Sequence, residues 1–555
     1  MRCWRYAPQP HDGRRNRKIV ACDDVCKVRE IDDATMTETD TLRYPGVHAR
    51  RDGAKPAVVM AESGVAMTFA ELDAFANRLA RLFASLGLAS GDHVAYCLEN
   101  RLECPAVQWG AHYAGLYYTF ISTRLTPKEA VYIVEDCDAR VVVLTNDTAP
   151  GLVEALRALP NPPLLYNLDD GFGVDLLATA LDPFDSAPIQ GTEEGSEMLY
   201  SSGTTGRPKG VKPVLSGRPL GSTALIADLL TRGFGANAST VYLHIAPYYH
   251  TAQLKWSQAI NAIGGTVIMM ERFDPEKTLA AVERYKVTHS QWVPTMFHRL
   301  LQLPDDVKKK YDLGSQRVVV HAAAPCPIPV KQQMIDWMGP ILVEYYSCTE
   351  TIGTTLCDTA SWLKYPGTVG RAIMGVVHIV GEDGTERPVG EDGLVYFSGG
   401  PKFSYHKDPE RTAEAYNAQG WATVGDIGRL NDAGFLFLTD RKSNMIISGG
   451  VNVYPQETEN VLIMHPSVFD VAVIGTPHED LGEEVRAVVQ LKEGIEPSAD
   501  LGAQLIAYCR EQLSPIKCPR VVDFRTELPR EPNGKLLKRR LRDEYRALHD
   551  KRVAR

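Results

Sequence analysis

The chain has 555 residues, 44% apolar and 23% charged, with a formal net charge of −9. That length supports more than one buried core, and an acidic balance with no long basic run beyond the N-terminal stretch excludes nucleic acid as the default partner. No apolar run approaches the roughly eighteen residues of a membrane helix, so no integral membrane segment is expected.

Eleven cysteines are scattered along the chain. Cys22 with Cys26 and Cys97 with Cys104 lie close in sequence but lack a histidine or second cysteine pair at zinc spacing. They read as the reduced thiols of a cytoplasmic protein.

From Met1 to about Asp33 the chain is basic, through Arg2, Arg5, Arg14, Arg15, Arg17 and Lys18, yet it lacks the apolar core of a secretory signal. Residues 1–35 are therefore expected to be a disordered extension. Thr68-Phe69-Ala70-Glu71 has the form of a capping box, and Leu72, Phe75, Leu79, Leu82 and Phe83 then recur at helical spacing up to Gly87. A strand is predicted over 94–98, a helix opening at Thr126 with Pro127 in its first turn, and a second strand over 141–144. Such alternation predicts a layered α/β core. Residues 161–195, rich in Pro, Asp and Gly, read as a loop-dominated connection.

Met198-Leu199-Tyr200 predicts a strand feeding Ser201-Ser202-Gly203-Thr204-Thr205-Gly206-Arg207-Pro208-Lys209-Gly210. Hydroxyl donors, glycines that let the backbone approach an anion, and the Lys209 cation together read as a triphosphate cradle. A kinase-type phosphate loop needs Gly-Lys followed by Ser or Thr, and here Pro208 precedes the lysine and Gly210 follows it. Further on come Pro247-Tyr248-Tyr249-His250, a strand over 318–320 entering His321-Ala322-Ala323-Ala324-Pro325-Cys326-Pro327, and Glu344-Tyr345-Tyr346-Ser347-Cys348-Thr349-Glu350. Asp426 ends a Gly-Trp-Ala-Thr-Val-Gly-Asp turn, and Thr439 to Gly450 contains Asp440-Arg441-Lys442-Ser443 and the pair Gly449-Gly450. Strands near 471–474 and 485–491, a helix near 499–512 and the turn Pro532-Asn533-Gly534-Lys535 complete the pattern.

Taken in order, these motifs resemble those of the adenylate-forming superfamily, which includes acyl-CoA synthetases, aryl-CoA ligases, peptide-synthetase adenylation domains and beetle luciferases. The likeness covers nearly everything after about Thr37 and is closest in look to fatty-acyl-CoA ligases. It implies an α/β protein with a large N-terminal domain of layered α/β subdomains over 36–440 and a small mobile α+β domain over 441–555.

By the same resemblance, Ser201 to Gly206 and Lys209 hold the ATP phosphates, and His250 lies beside the substrate carboxylate and leaving pyrophosphate. Ala323, Ala324 and Pro325 face adenine across from Tyr346, Thr349 binds the α-phosphate, and Glu350 holds Mg²⁺. Asp426 accepts the two ribose hydroxyls, Arg441 contacts ribose or phosphate, Ser443 stands at the hinge where relatives mostly have Asp or Lys, Gly449 and Gly450 admit pantetheine, and Lys535 is the adenylating lysine. Ser347 replaces the glycine of many relatives.

No Asp for an amino-acid amine lies between Pro247 and Trp256, which favours a simple carboxylic acid. The expected co-substrates are ATP, with Mg²⁺, and coenzyme A. The expected substrate is a medium- or long-chain fatty acid, with an aryl or cinnamoyl acid as the alternative. A non-catalytic acyl-nucleotide binding protein is disfavoured, because Lys209, Glu350, Asp426, Arg441 and Lys535 are all present. Homo-oligomerisation is left open.

Overall fold

The computed structural model describes residues 42–189, 191–201, 208–222, 225–530 and 536–553. The expectations for residues 1–35, for Ser202, Gly203, Thr204, Thr205 and Gly206, and for Lys535 lie outside the described residues.

Local signals produce most of the first layer. Thr68 caps helix Phe69–Ser85 through a complete capping box: Glu71 N donates to the Thr68 hydroxyl at 3.2 Å, and Thr68 N to the Glu71 carboxylate at 2.8 Å. Thr126 and Glu129 repeat the device for helix Pro127–Asp136. The first helix buries Phe69, Leu72, Leu79 and Phe83, the face that its spacing predicts. These helices pack on a six-stranded sheet whose pairings are all parallel, running from Asp175–Leu176 at one edge through His93–Tyr96 to Ser196–Glu197 at the other.

Residues 161–195 depart from the loop reading. Leu164–Asn167 joins the parallel sheet beside Ala139–Leu144, and a short strand and helix follow, Asp175–Leu176 and Leu177–Leu181. The Pro-, Asp- and Gly-rich flanks hide an apolar run, 164–166, too short to show a period by itself.

The second layer is a nine-stranded sheet. Its six inner strands are parallel, from Leu342–Tyr346 through Val318–His321, His289–Trp292, Val241–His244 and Thr266–Met269 to Pro56–Met60, and antiparallel strands close both edges. In such a sheet ligands bind beyond the carboxyl ends of the strands. Three of those ends lead into segments already picked out by motif: 245–250, 322–327 and 347–350.

A three-stranded sheet orders Leu199–Ser201, Lys209–Lys212 and Ser404–Tyr405, and a four-stranded antiparallel sheet contains Asp426–Leu430 paired with Leu436–Arg441. The C-terminal part is built on the long hairpin Val468–His478 and Gly482–Leu491, with helices Pro455–Leu462, Ala499–Arg510 and Lys538–Val553. Among the described residues, no helix is long and apolar enough to cross a membrane.

Candidate active site

The carboxyl ends of the inner strands open into a cleft of about 5090 Å³, shared between the large N-terminal part and residues of the C-terminal part. This is several times the size of a single small-molecule pocket, as expected for a space between two bodies. The contact across it includes His298 Nε2 against the Phe469 carbonyl at 3.1 Å, with Met464 packed on the core of the nine-stranded sheet.

Strand Val318–His321 ends in the turn 322–327, where Ala323 has φ of 73°, a left-handed conformation that costs a residue with a Cβ. Helix Ile328–Met338 follows, and its Lys331 is fully buried, 2.5 Å from Glu344 on the neighbouring strand and 5.0 Å from the Trp362 ring centroid. The ion pair staples the helix to the sheet across the turn. Burial raises the Glu344 carboxyl even against the lysine charge, and burial keeps His321 neutral.

Along strand Leu342–Tyr346 the side chains alternate. Val343 and Tyr345 face helix Thr251–Ala262, where Tyr345 stacks on Trp256 at 6.2 Å and accepts a 2.6 Å bond from Gln291. Tyr346 points the other way and donates to Asp426 Oδ2 at 2.6 Å, while Arg441 Nε donates to Oδ1 at 3.0 Å. Burial, with the Asp426 charge, pushes the Tyr346 phenol well up, so it keeps its proton and remains a donor. Each Asp426 oxygen retains a second lone pair. Ser347, at the glycine position of many relatives, donates to the Gly353 carbonyl at 2.9 Å and accepts from Thr354, which braces the turn that follows.

That turn carries Thr349 and Glu350. The Thr349 hydroxyl lies 3.3 Å from that of Thr251, directly after His250, the N-cap of helix Thr251–Ala262. His250 therefore stands at the junction of the two motif turns. Glu350 is 6% exposed and takes Lys209 Nζ at 3.2 Å and the Tyr405 hydroxyl at 2.7 Å, both on Oε1. Lys209 also donates to the Tyr405 hydroxyl at 2.6 Å. Tyr405 is the residue that motif reading missed. Neighbouring Cys348 is no nucleophile here, because burial pushes its thiol up to about 12.

Ser443 lies in a single 3-10 turn, and Arg542 from the last helix donates to its carbonyl at 2.5 Å. Asp440, just before Arg441, accepts from Asn444 at 3.0 Å and from Gln456 N at 3.1 Å, tying the junction to the C-terminal part. Arg530 and Leu536, the described residues flanking 531–535, pair as an antiparallel bridge, line the cleft and are anchored by the Arg530–Asp470 ion pair.

The cleft thus gathers Ser201, Lys209, His250, Ala323, Ala324 and Pro325. Tyr346, Thr349, Glu350, Asp426, Arg441 and Ser443 line it too. Gly449 and Gly450 are not on its wall. Both have positive φ and make the two-residue turn between Ile446–Ser448 and Val451–Val453, a conformation that by itself calls for glycine.

A layered α/β body whose cleft holds Asp426 and Glu350 beside a lysine-bearing hairpin, shared with a small α+β part, is the architecture of an adenylate-forming enzyme. The chain belongs to the AMP-binding enzyme family, whose model matches residues 47–403, with the AMP-binding enzyme C-terminal domain over 457–535, and within it to the AMP-forming acid–CoA ligases.

Among its relatives, a 3-[(3aS,4S,7aS)-7a-methyl-1,5-dioxo-octahydro-1H-inden-4-yl]propanoyl:CoA ligase of Rhodococcus jostii is 33% identical, over 92% of this chain and 100% of that protein. The long-chain-fatty-acid–CoA ligase FadD13 of Mycobacterium tuberculosis is 34% identical over 88% and 95%. ATP-bound MatB from Rhodopseudomonas palustris has a TM-score of 0.78 at 29% identity, covering 91% of this chain and 99% of that one.

Proposed function

We propose that the chain joins a carboxylic acid with an apolar body to coenzyme A in two half-reactions. The acid attacks the α-phosphorus of ATP to give acyl-AMP and pyrophosphate, and the CoA thiol then displaces AMP. The observation that carries this reading is the convergence of Lys209 and Glu350 with Tyr346, Asp426 and Arg441 in one cleft at the strand ends.

In this reading Asp426, held by Tyr346 and Arg441, accepts the ribose hydroxyls, and the turn 322–325 and Tyr346 enclose adenine. Lys209, with Ser201 to Gly206, binds the β- and γ-phosphates, Thr349 the α-phosphate, and His250 the carboxylate side. The donor set fits Mg²⁺, which is commonly held by one or two carboxylates plus substrate phosphates, and Glu350 would hold it. Bound there, the ion would neutralise charge on the phosphates. Lys535 brings a second cation to the carboxylate and α-phosphate as negative charge develops. Residues 441–555 act as the mobile domain that turns about Ser443 between half-reactions, with Gly449 and Gly450 lining the approach of pantetheine.

The cleft that holds His250 is also lined by Ile226, Leu229, Val343 and Leu356, which belong to one apolar cluster with Trp256 and support a medium- or long-chain fatty acid. A ring-bearing aryl acid is the second reading, favoured by the flat Trp256–Tyr345 stack on the same wall. A pyrophosphate-release assay across hexanoate, palmitate, benzoate and cinnamate, with and without CoA, tests both. Turnover of palmitate or hexanoate above the aromatic acids is expected, the reverse order selects the second reading, and no turnover of any acid overturns the ligase proposal.

A further inference from the structure

We propose that Tyr405 is a positioning residue that lets Lys209 leave Glu350 for the triphosphate, an inference resting on the reading of this cleft as the ATP site. The Tyr405 hydroxyl accepts from Lys209 at 2.6 Å and donates to Glu350 Oε1 at 2.7 Å, while Lys209 and Glu350 are 3.2 Å apart. Lys209 Nζ also lies 4.1 Å from the centroid of the Tyr405 ring. One hydroxyl therefore stands between cation and carboxylate.

Tyr405 is held from several sides. Val211 pairs with Tyr405 across the two strands, Tyr405 N donates to the Thr412 hydroxyl at 2.9 Å, and the ring packs edge-on against Phe403 at 5.1 Å. Lysine carries its charge on a flexible four-carbon stem and can swing without its backbone moving. That charge is paired with Glu350, so a triphosphate must compete with the carboxylate for it.

Glu350 is buried and Lys209 half-buried, so withdrawing the lysine leaves the buried carboxylate uncompensated, which is costly. The Tyr405 phenol reduces that cost. The hydroxyl already donates to Glu350 Oε1 at 2.7 Å, so it stays on the carboxylate as a charge-assisted donor after the lysine has gone. The same ring gives the departing ammonium a polarisable face along its path. A nucleotide without β- and γ-phosphates does not draw the lysine away and does not need the device.

Isothermal titration of purified full-length protein with ATP in EDTA, with ATP and Mg²⁺, and with AMP reads this without turnover. Tyr405→Phe keeps the ring and removes the hydroxyl. It should weaken metal-free ATP by about tenfold or more, ATP with Mg²⁺ by less because the ion also compensates Glu350, and AMP by under about twofold. An ATP affinity in EDTA within about twofold of wild type, or an equal loss for AMP, would overturn the proposal.

Glu350→Gln supplies an independent arm, since an amide does not trap the lysine. It should bind metal-free ATP more tightly than wild type, and adding Tyr405→Phe to it should change that affinity by under about twofold. Metal-free ATP affinity unchanged or weakened in Glu350→Gln would overturn the proposal even if Tyr405→Phe failed to fold. Absence of any ATP binding by the wild type would instead remove the reading of the cleft itself.

Discussion

Glu350 and Asp426 each sit beside one tyrosine hydroxyl and one cation, but the partners fall differently on the two carboxylates. At Asp426, Tyr346 takes Oδ2 and Arg441 takes Oδ1, so the plane of the group is set from both sides. At Glu350, Tyr405 and Lys209 both fall on Oε1. Two anchored oxygens suit a carboxylate that must offer a fixed edge to a pair of hydroxyls. One anchored oxygen suits a carboxylate that must exchange partners. The cations match: Arg441 is a planar fork, Lys209 a point charge on a mobile stem.

The largest expected effect separates both carboxylates from Lys535. If the two carboxylates serve the nucleotide throughout and Lys535 only its adenylation, Lys535→Ala should lower acid-dependent pyrophosphate exchange by roughly 10²-fold or more while thioester formation from supplied acyl-AMP survives. Equal loss of both half-reactions in the folded variant would end that division of labour.

Next in size, Asp426→Ala removes a charged acceptor and leaves the Tyr346 hydroxyl and Arg441 without their shared partner. ATP and AMP affinity should fall together by roughly 1.5–3 kcal/mol in a binding titration. Retention of AMP affinity would show that Asp426 does not bind the ribose.

Tyr346→Phe sharpens the contrast more finely. It removes one donor from a carboxylate that keeps Arg441, so ATP and AMP should weaken alike by about 1 kcal/mol. This is the opposite pattern from Tyr405→Phe, and a loss confined to ATP would erase the distinction between the two sites.

The last effect is on stability rather than on binding and concerns the far end of the Lys209 strand. There Lys212 Nζ lies 3.0 Å from His93 Nε2, with the His406 ring 5.8 Å from that of His93 and with Asp92 and Asp138 nearby. Burial, then the Lys212 charge, lowers His93 to about 4. A depressed folded-state value means that the unfolded chain binds the proton first. Stability should therefore be full above about pH 6.5 and decline toward pH 4, with His93 contributing at most about 1.4 kcal/mol per pH unit in that window. His93→Asn should flatten the melting temperature against pH over that range, and an unchanged slope would assign the dependence to other groups.

Much of this was legible in the sequence where chemistry is local. The capping box at Thr68 lies within four residues and formed as read, the helix read from Thr126 opens there with a second such box, and the turn-bearing motifs at 245–250, 322–327 and 347–350 emerge at strand ends as α/β logic requires. The family and the layered fold followed from motif order. What stayed hidden depends on pairing between distant strands. Lys209 and Tyr405 are 196 residues apart, and nothing in Phe403-Ser404-Tyr405-His406 marks the tyrosine until its strand is laid beside Lys209–Lys212. The Arg542 bond to the Ser443 carbonyl is invisible for a further reason: a backbone acceptor leaves no residue-type signal.

Ala323 has one more consequence. Its methyl is carried in a backbone conformation that glycine would adopt without strain, while the Lys331–Glu344 ion pair ties the helix after the turn to the neighbouring strand. The turn is therefore a stability reserve left undrawn. Ala323→Gly would relax the folded state but enlarge the conformational freedom of the unfolded chain and of the turn itself, so any gain in ease would be set against a looser wall for whatever ring the turn receives.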